Sequence, residues 1–112
     1  KETVLTYFYA ENIEHRRWGA PFPVIEIVKR GINKARGIKH VQNYLNIADD
    51  HIIAFGDEDN DIEMIKFANH GIAMANGLKD LKEIANETTY SNNEDGIGRY
   101  LNDFFNLKMR YY

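Results

Sequence analysis

From Gly31 onward the sequence alternates short apolar or β-branched runs with segments whose apolar residues recur every three or four positions. Runs over 51–56 and 71–75 have the length and composition of buried strands; 88–90 predicts a further brief strand, and 24–28 has the β-branched composition of a strand. The periodic segments predict helices over about 34–46, 59–68, 78–85 and 97–105. Strand and helix thus alternate four times, which predicts an α/β fold: a Rossmann-like parallel sheet, joined by right-handed crossovers and covered by helices on both faces.

Composition restricts the class of protein further. With 112 residues, of which 44% are apolar and 28% charged, the chain fits one globular domain or part of one. The net charge of −3, with no Lys/Arg run longer than two, argues against nucleic-acid or anionic-membrane binding. The absence of cysteine excludes disulfides, thiolate zinc sites and cysteine nucleophiles. No apolar run approaches the roughly 18 residues of a membrane span, and no signal peptide is evident, so a cytoplasmic location is expected.

An acidic cluster follows the predicted strand 51–56. Asp57, Asp59 and Asp61, with Asn60 among them, lie where that strand ends and a helix begins. Ligands of parallel α/β sheets bind at the carboxyl ends of strands, and three neighbouring carboxylates repel one another unless a cation is present. Helix capping is the alternative, because Asp and Asn are favoured at helix N-termini. Capping accounts easily for one or two of these residues and less easily for all of them.

An EF-hand calcium loop is excluded as the source of this cluster. The spacing of the three aspartates matches the opening of such a loop, but the loop requires Gly at its sixth position and Glu at its twelfth. Those positions hold Ile62 and Ala68, and a strand precedes the cluster where an EF-hand has a helix.

Four motifs together resemble the haloacid-dehalogenase-like (HAD) phosphohydrolases of the Cof-type subfamily. They are Gly-Ile-Asn-Lys over 31–34, Gly-Asp-x-x-Asn-Asp-Ile-x-Met over 56–64, Gly-Ile-Ala-Met-x-Asn over 71–76 and Asp-Gly-Ile over 95–97. The resemblance implies a Mg²⁺-dependent phosphatase of small phosphorylated metabolites that acts through a phosphoaspartate intermediate. Sugar phosphates, flavin mononucleotide and pyridoxal phosphate are candidate substrates by family analogy alone, since specificity lies mostly in a cap domain.

The resemblance also implies roles for individual residues. Asp57 would coordinate Mg²⁺ directly, Asp61 would bind it directly or through a water, and Asn60 would orient the phosphate or its loop. Lys34 would pair with the nucleophilic carboxylate and the phosphoryl oxygens, and a metal with an ammonium group suits the charge of a phosphoryl transition state. Without the resemblance, Lys34 would be interpreted as a solvated surface lysine. Lys34→Met is expected to remove activity while leaving folding nearly intact, because an exposed lysine contributes little to stability.

Two motifs of the family are missing from this sequence: the Asp-x-Asp-Gly-Thr loop with the nucleophile, and the phosphate-binding Ser or Thr that precedes the cap. We therefore expect a C-terminal portion, with 1–30 as the end of the cap and its return strand and 31–112 as the C-terminal half of the core. This portion alone is expected to be inactive, because it lacks the nucleophile. The missing N-terminal half, or a dimer, is expected to cover the open sheet edge.

Other interpretations stay open at this stage. A non-catalytic metal-binding or regulatory α/β module is the main alternative, and phosphomutase or phosphonatase chemistry is a third within the same fold. Trp18 and the aromatic run 7–9 could line a pocket between cap and core, although core packing is the simpler explanation. Asn76 and Asn92 fall in loops at the same end of the sheet and could approach the site. The four histidines share no ligand spacing.

Overall fold

A computed structural model of the chain describes residues 13–18 and 24–109. It contains five strands and four α-helices in this part of the chain. In chain order they are β1 (Ile13–Trp18), β2 (Val24–Lys29), α1 (Lys34–Leu45), β3 (Ile53–Gly56), α2 (Ile62–Phe67), β4 (His70–Met74), α3 (Lys79–Ile84), β5 (Glu87–Thr89) and α4 (Gly96–Phe105). Short 3₁₀ turns lie at Asp49–His51, Asp59–Asp61 and Asn92–Glu94. The strand-like run over 3–9 lies outside the described residues.

The predicted α/β class is confirmed by a parallel sheet of order β3-β4-β5. One face of the sheet contributes Ala54 and Ala73 to a buried cluster formed with side chains of α2 and α3. On the other face, Phe55 is paired in register with the fully buried Ile72, and α4 covers this face through Tyr100, whose ring centroid lies 5.5 Å from that of Phe55. No helix in the described ranges combines the length and hydropathy of a membrane span.

Strand β2 lies where the sequence predicted a strand, but it does not join the parallel sheet. It pairs antiparallel with β1 over a register that runs from Ile13↔Lys29 to Trp18↔Val24. Five residues connect the two strands, and so short a connection permits an antiparallel hairpin but no parallel crossover. The simple alternation of strand and helix therefore begins at α1, and the β1–β2 hairpin is a separate sheet.

The hairpin is joined to the start of α1 by a side-chain hydrogen bond. The Gly31 N–H donates to the Glu14 carboxylate at 2.9 Å, and Gly31 adopts a φ of +83° that favours glycine. Two residues later, Asn33 caps α1, since its Oδ1 accepts from the Arg36 N–H at 2.9 Å. Helix α1 ends at Asn46, which is in the left-handed conformation. These contacts place Lys34 in the first turn of the helix.

An apolar groove lies between α1, α2 and Ile52, the residue before β3. Its volume is about 560 Å³. The lining residues are Lys34, Gly37, Ile38, Val41, Gln42, Ile47, Ile52 and Met64. Strand β3 is an outer strand of the parallel sheet among the described residues, and the expectation that further chain or a second copy covers an open edge stays a prediction.

Gly71 of β4 provides a test of this packing. A Cβ at position 71 would lie 2.2 Å from the Ile65 carbonyl oxygen and 2.9 Å from Ile65 Cγ2, so α2 or β4 would have to move. We expect Gly71→Ala to lower the free energy of unfolding by about 1–3 kcal/mol, as measured by urea denaturation followed by circular dichroism. Gly37→Ala is the matched control, because no heavy atom lies within 4 Å of its added Cβ. Alanine at this helical site should raise the stability by about 0.5–1 kcal/mol, and an unchanged urea midpoint for Gly71→Ala would contradict the described packing.

Candidate active site

The acidic cluster forms a tight connection between a strand and a helix. Strand β3 ends at Gly56, the 3₁₀ turn Asp59–Asp61 follows, and α2 begins at Ile62. The connection lies at the carboxyl end of a parallel strand, where α/β sheets bind their ligands. The predicted helix over 59–68 is thus a 3₁₀ turn followed by an α-helix.

Asp61 is the central residue of this connection. Its carboxylate is buried, and Oδ2 accepts hydrogen bonds from the N–H groups of Asp57 at 3.0 Å and Glu58 at 3.2 Å. Oδ1 accepts from Lys34 Nζ at 2.5 Å. A Cβ at position 56 would lie 2.6 Å from Asp61 Cβ, so glycine is required there for the carboxylate to fold back beneath the turn. Asp61 therefore fixes the backbone of the connection and binds an ammonium group from a different helix.

The ion pair with Asp61 corrects the interpretation of Lys34 as a solvated surface lysine. The Lys34 side chain is 48% exposed, but its partner is only 6% exposed. Removing Lys34 leaves a buried carboxylate without its cation, which costs free energy. Removing a fully solvated lysine would carry no such cost. Because of this ion pair, we expect Lys34→Met to cause a moderate destabilisation where the sequence alone predicted a nearly neutral change.

Hydrogen bonding determines the ionisation of Asp61. Burial alone would raise the pKa of this carboxyl, but the hydrogen bonds from Lys34 and from the N–H groups of Asp57 and Glu58, together with the Lys34 charge, outweigh burial and hold the pKa below its usual value. Asp61 is therefore an anion at neutral pH, and its charge is already compensated within the fold.

Both backbone polar groups of Asp57 are fixed by other residues. Its N–H donates to Asp61, and its carbonyl oxygen accepts from the Leu78 N–H at 3.0 Å. The Asp57 side chain is half-buried, as are those of Asp59 and Asn60 in the adjacent turn. The structure thus holds the Asp57 backbone rigidly while its carboxylate stays accessible at the end of the strand.

The donor set is suited to a divalent cation but is incomplete. Among residues 13–18 and 24–109, no three His, Asp or Glu side chains converge in a group that could hold a metal ion. Three of the roughly four acceptor positions of the Asp61 carboxylate are occupied by hydrogen bonds, which leaves little capacity for direct coordination. The Asp57 carboxylate is the better hard oxygen ligand of the two. The two proposed metal-binding aspartates therefore lie side by side, but only the Asp57 carboxylate has most of its acceptor positions left for a cation.

The structure also brings together residues whose contacts the sequence could not specify. Asn76, after β4, accepts the Asn92 N–H on its Oδ1 at 2.9 Å, so the loops after β4 and β5 do meet at this end of the sheet. The Glu14 contact with Gly31 was missed, because hairpin register is invisible in the sequence pattern. The aromatic run 7–9 lies outside the described residues, and the pocket it could form with Trp18 stays a prediction.

Comparison with known proteins agrees with this geometry. A family model for haloacid dehalogenase-like hydrolases matches residues 2–101. The 5-amino-6-(5-phospho-D-ribitylamino)uracil phosphatase YitU of Bacillus subtilis is 52% identical over 103 residues, which make up 92% of this chain and 38% of that protein.

Solved structures show the same similarity. The sugar phosphatase BT4131, of HAD subclass IIB, superposes with a TM-score of 0.80 at 30% identity, over 93% of this chain and 38% of that one. SMU.1108c from Streptococcus mutans gives a TM-score of 0.81 at 30% identity, over 94% and 39% of the two chains. This chain therefore spans about two-fifths of the length of these relatives. The family match, the fold and the acidic strand-end turn together show that the chain belongs to the haloacid dehalogenase-like hydrolases.

Proposed function

We propose that this chain supplies the metal-binding and lysine half of the active site of a Mg²⁺-dependent phosphomonoesterase of the Cof type. The observation that carries the proposal is the arrangement of Lys34, Asp61 and Asp57 at the carboxyl end of β3, where a buried carboxylate holds an ammonium group beside an accessible carboxylate. The phosphatase names of several relatives support it. The cytoplasm is the proposed compartment.

The proposed substrate is a small phosphorylated metabolite of the ribitylaminouracil class. The relative at 52% identity is named a 5-amino-6-(5-phospho-D-ribitylamino)uracil phosphatase, and so is a second Bacillus subtilis protein that is 41% identical over 75 residues. Sugar phosphates are the alternative class, because BT4131 is described as a sugar phosphatase. Phosphate release from each class by the full-length protein distinguishes them.

The residues of this chain would divide the work of phosphoryl transfer. Asp57 would hold Mg²⁺, which would compensate the charge of the transferring phosphoryl group. Asp61 would act indirectly: it fixes the Asp57 backbone and orients Lys34, whose ammonium group would contact a phosphoryl oxygen and the attacking carboxylate. Asn60 would orient the phosphate or its loop.

The attacking carboxylate of the proposed phosphoaspartate mechanism has no counterpart in this sequence. No Asp-x-Asp-Gly-Thr loop is present in the 112 residues, so the nucleophile would come from another part of the full-length protein. We therefore propose that the 112 residues alone do not hydrolyse phosphate esters. This lack also favours the second candidate, a non-catalytic metal-binding or regulatory α/β module.

Asp57→Asn in the full-length protein separates the two candidates. Loss of the proposed metal ligand should lower Mg²⁺-dependent phosphate release by about 10²-fold or more, since the charge compensation is lost with it. Asp59→Asn, in the same turn, is the matched control and should retain activity within about threefold. Turnover that is unchanged by Asp57→Asn would remove this residue from the mechanism. A full-length protein without phosphatase activity on either substrate class would favour the binding module.

Lys34→Met tests the ion pair. We expect the free energy of unfolding to decrease by about 1–3 kcal/mol, because the buried Asp61 carboxylate loses its cation, and phosphate release to fall steeply. The double variant Lys34→Met/Asp61→Asn should recover part of the stability but none of the activity. Lys39→Met, on the same helix, is the control, because its partner Asp49 is exposed. Equal stability of Lys34→Met and the unaltered protein would argue against the pair.

The lowered pKa of Asp61 predicts how stability depends on pH. Because the folded state binds the Asp61 proton less readily than the unfolded state does, the stabilisation is fully present above the unfolded pKa of about 4 and is lost as pH falls through the lower folded pKa. The stability difference between the unaltered chain and Asp61→Asn should therefore shrink between about pH 6 and pH 3 in urea denaturation. Asn93→Ala, which removes no titratable group, should show a constant difference. A constant difference for Asp61→Asn would contradict the assignment.

A further inference from the structure

The loop after β4, residues 75–78, lies directly against the proposed metal ligand. Its Leu78 N–H donates to the Asp57 carbonyl oxygen at 3.0 Å. Gly77 packs so closely on the same residue that an added Cβ would lie 3.1 Å from Asp57 Cα and 3.2 Å from its carbonyl oxygen. The loop is itself a tight turn, closed by the Gly77 N–H donating to the Met74 carbonyl at 2.9 Å. The backbone of Asp57 therefore lies in direct contact with this loop.

Asn76 anchors the loop on its other side. Its Oδ1 accepts a hydrogen bond from the Asn92 N–H at 2.9 Å. Asn92 is the first residue of the 3₁₀ turn that precedes α4. The connection after β3 is thus hydrogen-bonded to the loop after β4, and that loop is hydrogen-bonded to the connection after β5. Because the three strands lie side by side in the order β3-β4-β5, these hydrogen bonds follow the carboxyl edge of the sheet.

The two peptide groups of Asp57 are consequently fixed from opposite directions. Asp61 holds the N–H, and the 75–78 loop holds the carbonyl oxygen. Only two rotatable bonds separate an aspartate carboxylate from its backbone, so both backbone contacts influence where a bound cation would sit. Partners behind a metal ligand commonly change metal affinity by about 10–100-fold when they are removed.

We propose that Asn76 is a positioning residue for Asp57: by holding the 75–78 loop against the Asn92 turn, it orients the metal-binding carboxylate without touching the cation. This inference rests on the proposed function, because it requires Asp57 to be a Mg²⁺ ligand. It assigns a specific role to an exposed amide that the sequence placed only near the site.

Asn76→Ala in the full-length protein tests the proposal, with MgCl₂ alone as the probe. Isothermal titration calorimetry should show Mg²⁺ binding weakened by about tenfold, because the loop loses its anchor. Amide hydrogen exchange at Leu78, whose N–H is bonded to Asp57, should become faster in the same variant. Asn76→Asp keeps the acceptor oxygen and should restore both properties, whereas Asn93→Ala, the same truncation at an exposed neighbour, should leave both unchanged.

Two outcomes overturn the proposal and are distinguishable from each other. If Asn76→Ala melts at a lower temperature but binds Mg²⁺ with an unchanged Kd, while Asp57→Asn abolishes binding, the loop is merely structural and the proposed function stands. If Asp57→Asn binds Mg²⁺ as tightly as the unaltered protein, the proposed function fails, and the positioning role fails with it.

Discussion

The buried carboxylate of Asp61 is the interaction on which the rest of the candidate site depends. Two backbone N–H groups and one ammonium group surround this single anion, so the connection after β3 and the start of α1 share one electrostatic centre. Such charge-assisted hydrogen bonds contribute about 1.5–3 kcal/mol each when the anion is shielded from water. The same contacts that stabilise the turn after β3 therefore also determine the position of Lys34, which is 27 residues away in the sequence.

The different roles proposed for Asp61 and Asp57 follow from these hydrogen bonds. A carboxylate whose oxygens are occupied by hydrogen bonds is a stable structural anion, whereas its neighbour four residues earlier keeps a carboxylate available to a cation. The identity of residue 56 is part of the arrangement, because any side chain there would displace Asp61. Stability and the proposed chemistry thus both depend on Lys34 and Asp61.

The sequence pattern predicted the elements well and their partners less well. Helix α1 and strands β3 and β4 follow from hydrophobic periodicity, and their bounds agree within about two residues. The separation of β2 from the parallel sheet was not predicted, because the charged sequence of its partner β1 lacks the apolar pattern of a strand, and without β1 the short connection carries no information. The acidic cluster marked the position of the site, and the four site residues came from its resemblance to a family. That Asp61 is enclosed while Asp57 stays accessible depends on backbone geometry, so only the structure distinguishes the two.

The Asn76–Gly77 dipeptide in the loop after β4 is a potential site of deamidation. Asn-Gly is the dipeptide most prone to lose ammonia, since the glycine nitrogen meets no side chain as it attacks the asparagine amide to form a succinimide. Here that nitrogen donates to the Met74 carbonyl, and the amide oxygen accepts from the Asn92 N–H. Ring closure requires the bond from the Gly77 nitrogen to break and the Asn76 side chain, held by Asn92, to turn toward that nitrogen, so the folded loop slows this reaction. The rate of deamidation at Asn76 therefore measures how often this edge of the sheet opens, and each isoaspartate formed there would lengthen the main chain beside Asp57.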